Sequence, residues 1–241
     1  MRVRRVLTTR AGGRSVAPYA SFNLGDHVGD DPAVVAANRA RLARGIGLEP
    51  ARVAWMNQVH GAAVATVDRP QVAVPTADAL VTDQPRLALV VVVADCVPVL
   101  LADPEAGVGA AVHAGRAGAA AGVVPAALAS MAELGAEPDR IDALLGPTVC
   151  GGCYEVPADM RDEVDAALPG SAAVTRLGTP SVDLHAGLRR QLAERGVRAV
   201  DADTRCTVED DQLFSHRRER PTGRFAGVVW WEYDRPSRSR S

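Results

Sequence analysis

Leu87-Ala-Leu-Val-Val-Val-Val-Ala-Asp-Cys-Val-Pro-Val-Leu-Leu-Ala-Asp-Pro-Glu-Ala-Gly-Val-Gly-Ala-Ala-Val-His113 is the stretch whose reading decides the fold. It holds three Val- and Leu-rich runs of strand length, Leu87–Ala94, Val97–Ala102 and Val108–Val112. Each is apolar at nearly every position, so the sheet it joins should be covered on both faces. Asp103-Pro-Glu-Ala-Gly107 between the last two is a turn sequence. An antiparallel hairpin centred near Glu105 pairs residues whose numbers sum to roughly 210. Cys96 then lies opposite about residue 114, next to His113. A thiol and an imidazole are thereby predicted at the same end of one hairpin.

Outward from this core, helices and strands are interspersed. Asp31-Pro32 reads as an N-cap followed by Pro at the first helical position, with a stop near Gly45. Further helices are predicted over Val123–Leu134, from near Asp159, and from about Asp183 to Arg195 with Gly196 as its stop. Val53–Trp55, Ala62–Val67, Val197–Val200 and Val228–Tyr233 complete the predicted strands. The class is mixed α/β (α+β), with sheets buried beneath helices; periodicity alone does not choose the topology. Residues 1–234 read as one domain, and 235–241 as a disordered basic tail.

Composition narrows the function classes. The chain has 241 residues, 47% hydrophobic and 23% charged, which is ordinary globular usage and argues against disorder or a coiled coil. A net charge of -2 gives no reason to expect nucleic acid or membrane as partners. All 27 cationic residues are Arg, so a single arginine is weak evidence of a site. The apolar stretch is interrupted by Asp95 and Pro98 and is too short to span a bilayer, and the N-terminus has no apolar run of signal-peptide length. The expected location is the cytoplasm. In that reducing compartment four cysteines are ligands, reactive groups or core residues, not a disulfide framework.

Three segments carry the chemistry: Asn57-Gln-Val-His-Gly61, Ala94-Asp-Cys-Val-Pro98 and Val112-His-Ala-Gly-Arg-Ala-Gly118. Each puts a metal-ligand type at a strand end, with glycine close behind the two histidines. Two imidazoles and one thiolate, from His60, Cys96 and His113, suit zinc, and three protein ligands leave a fourth position open, as catalytic sites do. Spacing alone leaves the bland alternative standing, since a lone His or Cys is more often a packed or hydrogen-bonded group.

Several further segments occur in order: Thr8-Thr-Arg-Ala-Gly-Gly13, Ser21-Phe-Asn-Leu-Gly25, His27-Val-Gly-Asp30, Ala77-Asp-Ala-Leu80, Cys153-Tyr-Glu-Val156 and Phe214-Ser-His-Arg-Arg218. With the three above, they closely resemble the laccase-domain family, also called the multicopper polyphenol oxidase or peptidoglycan-editing-factor family. Its members are regarded chiefly as purine nucleoside phosphorylases with adenosine deaminase activity. The resemblance spans nearly the whole chain and implies a single domain with an α/β/β/α layered fold. It implies zinc on His60, Cys96 and His113, with a purine nucleoside (adenosine, inosine, guanosine or methylthioadenosine) and phosphate as substrates. The chain departs from the family in two places. Arg116-Ala117 stands where relatives carry Trp-Arg, and Gly152-Cys153 where they often carry adjacent cysteines.

The remaining roles follow from chemistry. Deamination needs a carboxylate to move a proton, for which Asp95, counted with the triad as catalytic, and Glu155 are the candidates. Arg116 is expected to gather phosphate in place of the family arginine, Gln58 to make a polar contact near the metal, and Cys153 and Glu155 to line the substrate pocket. Arg39, Arg189, Arg217 and Arg218 are weaker phosphate candidates. Cys150-x-x-Cys153 is compatible with a redox pair or half a structural zinc site, but no second Cys-x-x-Cys exists, so core or substrate-pocket cysteines are the preferred reading. His27 and His185 have no evident partners, and Trp230-Trp231 read as packing. Five scattered histidines do not suit a multicopper centre, so copper is not expected. Two alternatives stay open: a zinc hydrolase editing mis-acylated peptidoglycan precursors, and a non-catalytic zinc-stabilised interaction protein. A monomer or weak homo-oligomer is expected.

Overall fold

The computed structural model describes residues 1–69 and 73–233. In chain order the elements are β1 (Arg2–Leu7), α1 (Pro32–Gly45), β2 (Val53–Ala54), β3 (Val64–Thr66), β4 (Ala79–Thr82), β5 (Ala88–Val93), β6 (Val97–Asp103), β7 (Val108–Ala114), α2 (Arg116–Ala120), α3 (Val123–Glu133), β8 (Asp142–Leu145), α4 (Ala158–Ala167), β9 (Ala172–Val174), β10 (Pro180–Val182), α5 (Leu184–Glu194), β11 (Ala199–Ala202) and β12 (Phe225–Glu232). They build a four-stranded sheet, β1-β12-β5-β2, a six-stranded sheet, β11-β8-β6-β7-β4-β3, and a small β9-β10 hairpin. Both large sheets are mixed: β2 runs parallel to β5, β3 to β4, and β11 to β8.

The continuous apolar runs are explained by layering. Along β5, Ala88, Val90 and Val92 pack against Leu42 and Ala43 of α1. The alternate residues Leu89, Val91 and Val93 meet Leu100 of β6 and Ala111 of β7 across the two sheets. On the far face of the six-stranded sheet, Val99, Leu101 and Val112 pack with Val124 and Met131 of α3 and with Leu188 and Leu192 of α5. Helix, sheet, sheet and helix therefore stack in the expected α/β/β/α order, and a strand with period two is buried on both faces. Helix starts follow their caps: Asp31 accepts the Ala33 N–H at 2.8 Å ahead of Pro32, and Asp183 accepts that of Ala186 at 3.0 Å. No helix among the described residues is long and apolar enough to cross a membrane.

The β6–β7 hairpin runs from Val97↔Ala114 to Asp103↔Val108, which pairs Pro98 with His113. This is one residue later than the expected pairing, because four residues, Pro104–Gly107, form the connection. Fully buried Asp103 fixes that connection. Its carboxylate accepts the backbone N–H groups of Glu105 (2.9 Å), Ala106 (3.0 Å) and Glu137 (2.9 Å), and Arg140 Nε at 3.1 Å. Burial pushes the Asp103 carboxyl up, but these donors outweigh it and hold it below the usual carboxylate range.

Some boundaries differ from expectation for local reasons. Val197, read as the start of a strand, instead closes α5: its N–H bonds Leu192 O at 3.0 Å, and β11 begins at Ala199. β12 starts earlier than Val228 because Phe225 and Ala226 already pair with Val93 and Val92 of β5. β2 and β3 are shorter than expected. β1, β4, β8, β9, β10 and α2 had not been anticipated. The tail over 235–241 lies outside the described residues.

Candidate metal centre

Three segments converge at one end of the six-stranded sheet. Cys96 directly precedes β6, His113 sits in the last turn of ladder on β7, and His60 lies on the loop between β2 and β3. One ligand atom from each lies within 4.8 Å of the others. Cys96 Sγ stands 3.9 Å from His60 Nε2, and the two imidazoles meet edge to face with centroids 4.6 Å apart. Gly115 forms the floor. A Cβ there would lie 2.9 Å from Cys96 Sγ and 2.9 Å from His60 Cδ2, so this position is glycine because the ligands occupy the space.

Asp78 organises both histidines. It is fully buried just before β4, and β4 pairs Ala79 with Val112 of β7. The ladder continues one step further, with the His113 N–H donating to Asp78 O at 2.7 Å. The Asp78 carboxylate takes His113 Nδ1 at 2.8 Å and the backbone N–H groups of His60 (2.9 Å) and Gly61 (2.7 Å). His113 therefore donates from Nδ1 and keeps Nε2 for the centre, the usual arrangement behind a metal-ligating imidazole. His60 holds φ +60° and Asp95 φ +93°, left-handed conformations that cost an L-residue roughly 1–2 kcal/mol each. Such strain is found where surrounding contacts over-determine the backbone; His60 is one of the three candidate donors and Asp95 adjoins another, Cys96.

Electrostatics favour a thiolate. Burial pushes the Cys96 thiol up, but the adjacent His113 charge and hydrogen bonds from His113 and His60 bring it down to about 6. Burial likewise lowers His113, while the Cys96 thiolate and Asp78 raise it to about 9. Two imidazole nitrogens and an ionised sulfur, with a carboxylate behind one of them, suit a borderline-soft divalent ion.

The centre opens into a cleft of about 450 Å³. Its walls carry Arg116 and Ala117 from α2, Tyr154, and His216, Arg217, Arg220 and Arg224 from the segment leading into β12. Arg217 lies 4.9 Å over the Tyr154 ring. Burial pushes the Tyr154 phenol up despite nearby Arg116, so it stays a donor. Burial and neighbouring arginines push His27 and His216 below the usual imidazole range, and both line the cleft.

A family model described as "Multi-copper polyphenol oxidoreductase laccase" matches residues 4–232. The chain belongs to that family. A Mycobacterium tuberculosis protein named purine nucleoside phosphorylase is 64% identical over 96% of this chain and 93% of the relative. A Corynebacterium glutamicum protein of the same name is 58% identical over 95% of this chain and 94% of the relative. Among solved structures, YlmD from Geobacillus stearothermophilus superposes with TM-score 0.89 at 33% identity, covering 96% of this chain and 92% of that one. Neisseria meningitidis protein NMB0706 gives 0.86 at 37% identity, covering 96% and 95%.

Within this laccase-family chain the expected site residues part into two groups. His60, Cys96, His113, Asp95, Gln58 and Arg116 all line the cleft, as does Arg217. Asp95 is the one carboxylate there among the described residues, and it is fully engaged: it accepts Thr207 Oγ1 (2.6 Å), Ser215 Oγ (2.7 Å) and the Arg217 N–H (2.7 Å). Both amide ends of Gln58 are taken by the Val92 backbone, at 2.8 and 2.9 Å, so it completes the part of the β5 edge that β2, paired only with Ala88 and Leu89, leaves free. Cys153 and Glu155 stand outside the lining; it is Tyr154 between them that faces the cleft. Burial pushes the Cys153 thiol up to about 12, which makes it a poor nucleophile.

Arg39, Arg189 and Arg218 are structural. Arg39 donates to Leu24 O and stacks on Trp55, Arg189 donates to Val200 O, and Arg218 ties down the carbonyls of Thr207, Asp210 and Leu213. His185, which had no evident partner, bonds Gly146 O at 2.9 Å. Trp230 and Trp231 are buried as expected. Sequence reading missed Asp78, Tyr154, His216, Arg220 and Arg224, and it left without a partner His27, which lines the cleft with Nδ1 3.6 Å from Asp26. For Asp78 a signal was present: an acidic residue among alanines at the mouth of an apolar strand has to find donors.

Proposed function

We propose that this chain is a zinc-dependent purine nucleoside phosphorylase, with adenosine deaminase activity on the same centre. The observation that carries this reading is the convergence of three candidate metal donors, His60, Cys96 and His113, on a cleft walled by four arginines among the described residues. The names carried by the relatives supply the substrate class. The donor set and the space left by Gly115 fit the ion; His60, Cys96 and His113 would hold Zn2+, which would supply Lewis acidity toward a substrate oxygen.

The chain's own residues do the rest. Arg116, Arg217, Arg220 and Arg224 offer guanidinium forks that hold an oxyanion and neutralise its charge. Phosphate held this way attacks the anomeric carbon as the bond to the purine nitrogen breaks. The Tyr154 O–H is a hydrogen-bond donor for the departing base. Asp78 holds the His113 ring in one tautomer throughout. For deamination, Asp95 is the carboxylate at hand, and its three donors would have to loosen for it to move a proton; phosphorolysis is therefore the leading activity of the two. An open centre facing a cleft also favours an enzyme over an interaction module. Zinc is preferred to a copper cluster because two imidazoles and one thiolate form a single mononuclear donor set here.

The test is to incubate the zinc-loaded protein with adenosine and with inosine, each with and without phosphate, and to separate the bases by chromatography. Phosphate-dependent adenine or hypoxanthine is expected, with inosine from adenosine marking the deaminase. Arg116→Ala should raise the KM for phosphate about tenfold, the loss of one charged hydrogen-bonding contact. No release in any arm, with zinc bound and the fold intact, would overturn the reading and leave the precursor-editing hydrolase.

A further inference from the structure

Outside the cleft, two turns carry a ligand set of their own. After β8 the chain runs Cys150-Gly-Gly-Cys153, and Cys150 O accepts the backbone N–H groups of Cys153 (2.9 Å) and Tyr154 (2.9 Å). After β11 it runs Cys206-Thr-Val-Glu209, and Cys206 O accepts those of Glu209 (3.1 Å) and Asp210 (2.9 Å). The two turns thus share one hydrogen-bonding pattern. They are joined side by side through a parallel bridge between Thr148 and Cys206, with the Thr207 N–H on Thr148 O at 3.0 Å. The Cys150 N–H points at Cys206 Sγ, 3.4 Å away.

The consequence is a four-donor cluster. The sulfurs of Cys150, Cys153 and Cys206 and a carboxylate oxygen of Glu209 lie within 4.8 Å of one another, and all three cysteines are free. Two facing turns, each offering its first and fourth residue, are how proteins surround a tetrahedral ion. The second turn ends in Glu rather than Cys, which is why no paired Cys-x-x-Cys motif is visible in the sequence. Arg176, between β9 and β10, pairs with Glu209 and reaches to 3.8 Å from Cys153 Sγ. A fixed cation therefore stands beside donors that would together carry more negative charge than a divalent ion cancels. The backbone N–H on sulfur and this arginine are the supporting contacts that thiolate ligands take.

We propose that Cys150, Cys153, Cys206 and Glu209 form a second, structural site for a divalent thiophilic ion of the zinc type, separate from the His60–Cys96–His113 centre. Its role is to brace the cleft. Val149 and Tyr154 flank the first turn and line the cleft wall. Thr207, next to Cys206, holds Asp95 beside the Cys96 ligand. An ion joining the two turns locks these parts to each other without touching substrate.

The test uses the full chain, stripped with a chelator and reloaded with Zn2+ for metal counting, or with Co2+ for absorption spectra. Wild type is expected to bind two ions. Cys96→Ala should keep one, whose Co2+ form shows intense near-ultraviolet sulfur-to-metal charge transfer. Cys206→Ser should also keep one, with much weaker charge transfer, and Glu209→Gln should weaken the second ion while preserving the first. A wild type with one ion that Cys96→Ala loses overturns the proposal. A wild type with one ion that Cys96→Ala keeps supports it and counts against zinc at the cleft instead. Should Cys206→Ser fail to fold, the count on Cys96→Ala decides.

Discussion

Gly115→Ala asks whether close packing sets the floor of the metal centre. Gly115 holds φ -75° and ψ 167°, extended backbone that alanine adopts freely. On conformational grounds alone the exchange should stabilise the fold by about 0.4–1 kcal/mol, by restricting the unfolded chain. Space is what opposes it. The added methyl would sit 2.9 Å from Cys96 Sγ, 2.9 Å from His60 Cδ2 and 3.7 Å from His113 Nε2. Comfortable contacts of this kind are about 3.5–4.0 Å, so two of the three ligands must retreat by ~0.6 Å or more. Metal–ligand distances tolerate only about 0.2 Å. The expected outcome is metal affinity lower by roughly 10–100-fold, the range seen when support behind a ligand is lost. Competition against a chromophoric chelator, run side by side on variant and wild type, measures it. A melt in excess chelator supplies the control, and the metal-free Tm should stay level or rise. Wild-type affinity in the variant would refute the packing reasoning. A metal-free Tm that drops by several degrees would show that the backbone, not the ligands, gave way.

Two further outcomes follow from the buried carboxylates. Asp78→Asn keeps the shape but sets an amide N–H2 against backbone donors and His113 Nδ1; metal affinity should fall about 10–100-fold, with unfolding free energy lower by about 2–4 kcal/mol. Denaturant midpoints at constant slope check the second part, and unchanged values in both assays would sink the assigned role. Asp103→Asn should cost about 1–3 kcal/mol at neutral pH, because three backbone donors lose a charged acceptor. Its folded carboxyl is depressed below the unfolded value of about 3.9, so the contribution is present above that pH and is lost as pH falls through the folded value. The gap between wild type and variant should accordingly close below about pH 4, and a gap that persists in acid would contradict the assignment.

What could be read from sequence was decided by apolar period and turn chemistry. The β6–β7 hairpin, α1 behind Asp31-Pro32 and α5 behind Asp183 were legible because each signal is local. β1 was not, since Arg2-Val-Arg-Arg-Val-Leu7 reads as a basic terminus; as an edge strand, with β12 on one side only, it can keep its arginines part-exposed. The convergence of His60, Cys96 and His113 was legible through the hairpin and the family motifs, and a one-residue slip in register did no harm because the inference needed only a shared strand end. Arg116 and Arg217 of the arginine wall were legible as candidates, whereas Arg220, Arg224 and the role of Asp78 were not. The partners of Asp78 are many residues away despite its conspicuous place beside an apolar strand, and in a chain whose cations are all Arg, composition cannot single out the other two. Gln58 shows the converse: a polar residue beside a ligand invites a substrate role, yet the free backbone edge of β5 claims both ends of its amide.

The displaced arginine at α2 can be weighed on the same geometry. One residue along an α-helix rotates a side chain by about 100°, enough to carry it off a face in mid-helix. At the first turn the consequence is smaller, because Arg116 and Ala117 both line the cleft. The guanidinium at 116 stays in the cleft wall, close enough to Tyr154 to act on its phenol. The other three arginines come from the segment before β12, held to the hairpin end through Asp95 and the Arg217 N–H. Under the proposed function, anion binding is thus shared between α2, directly behind the hairpin end, and the segment that Asp95 fastens to that end. Moving one guanidinium should weaken phosphate binding without abolishing it, whereas loosening Asp95 would let a whole wall drift from the metal.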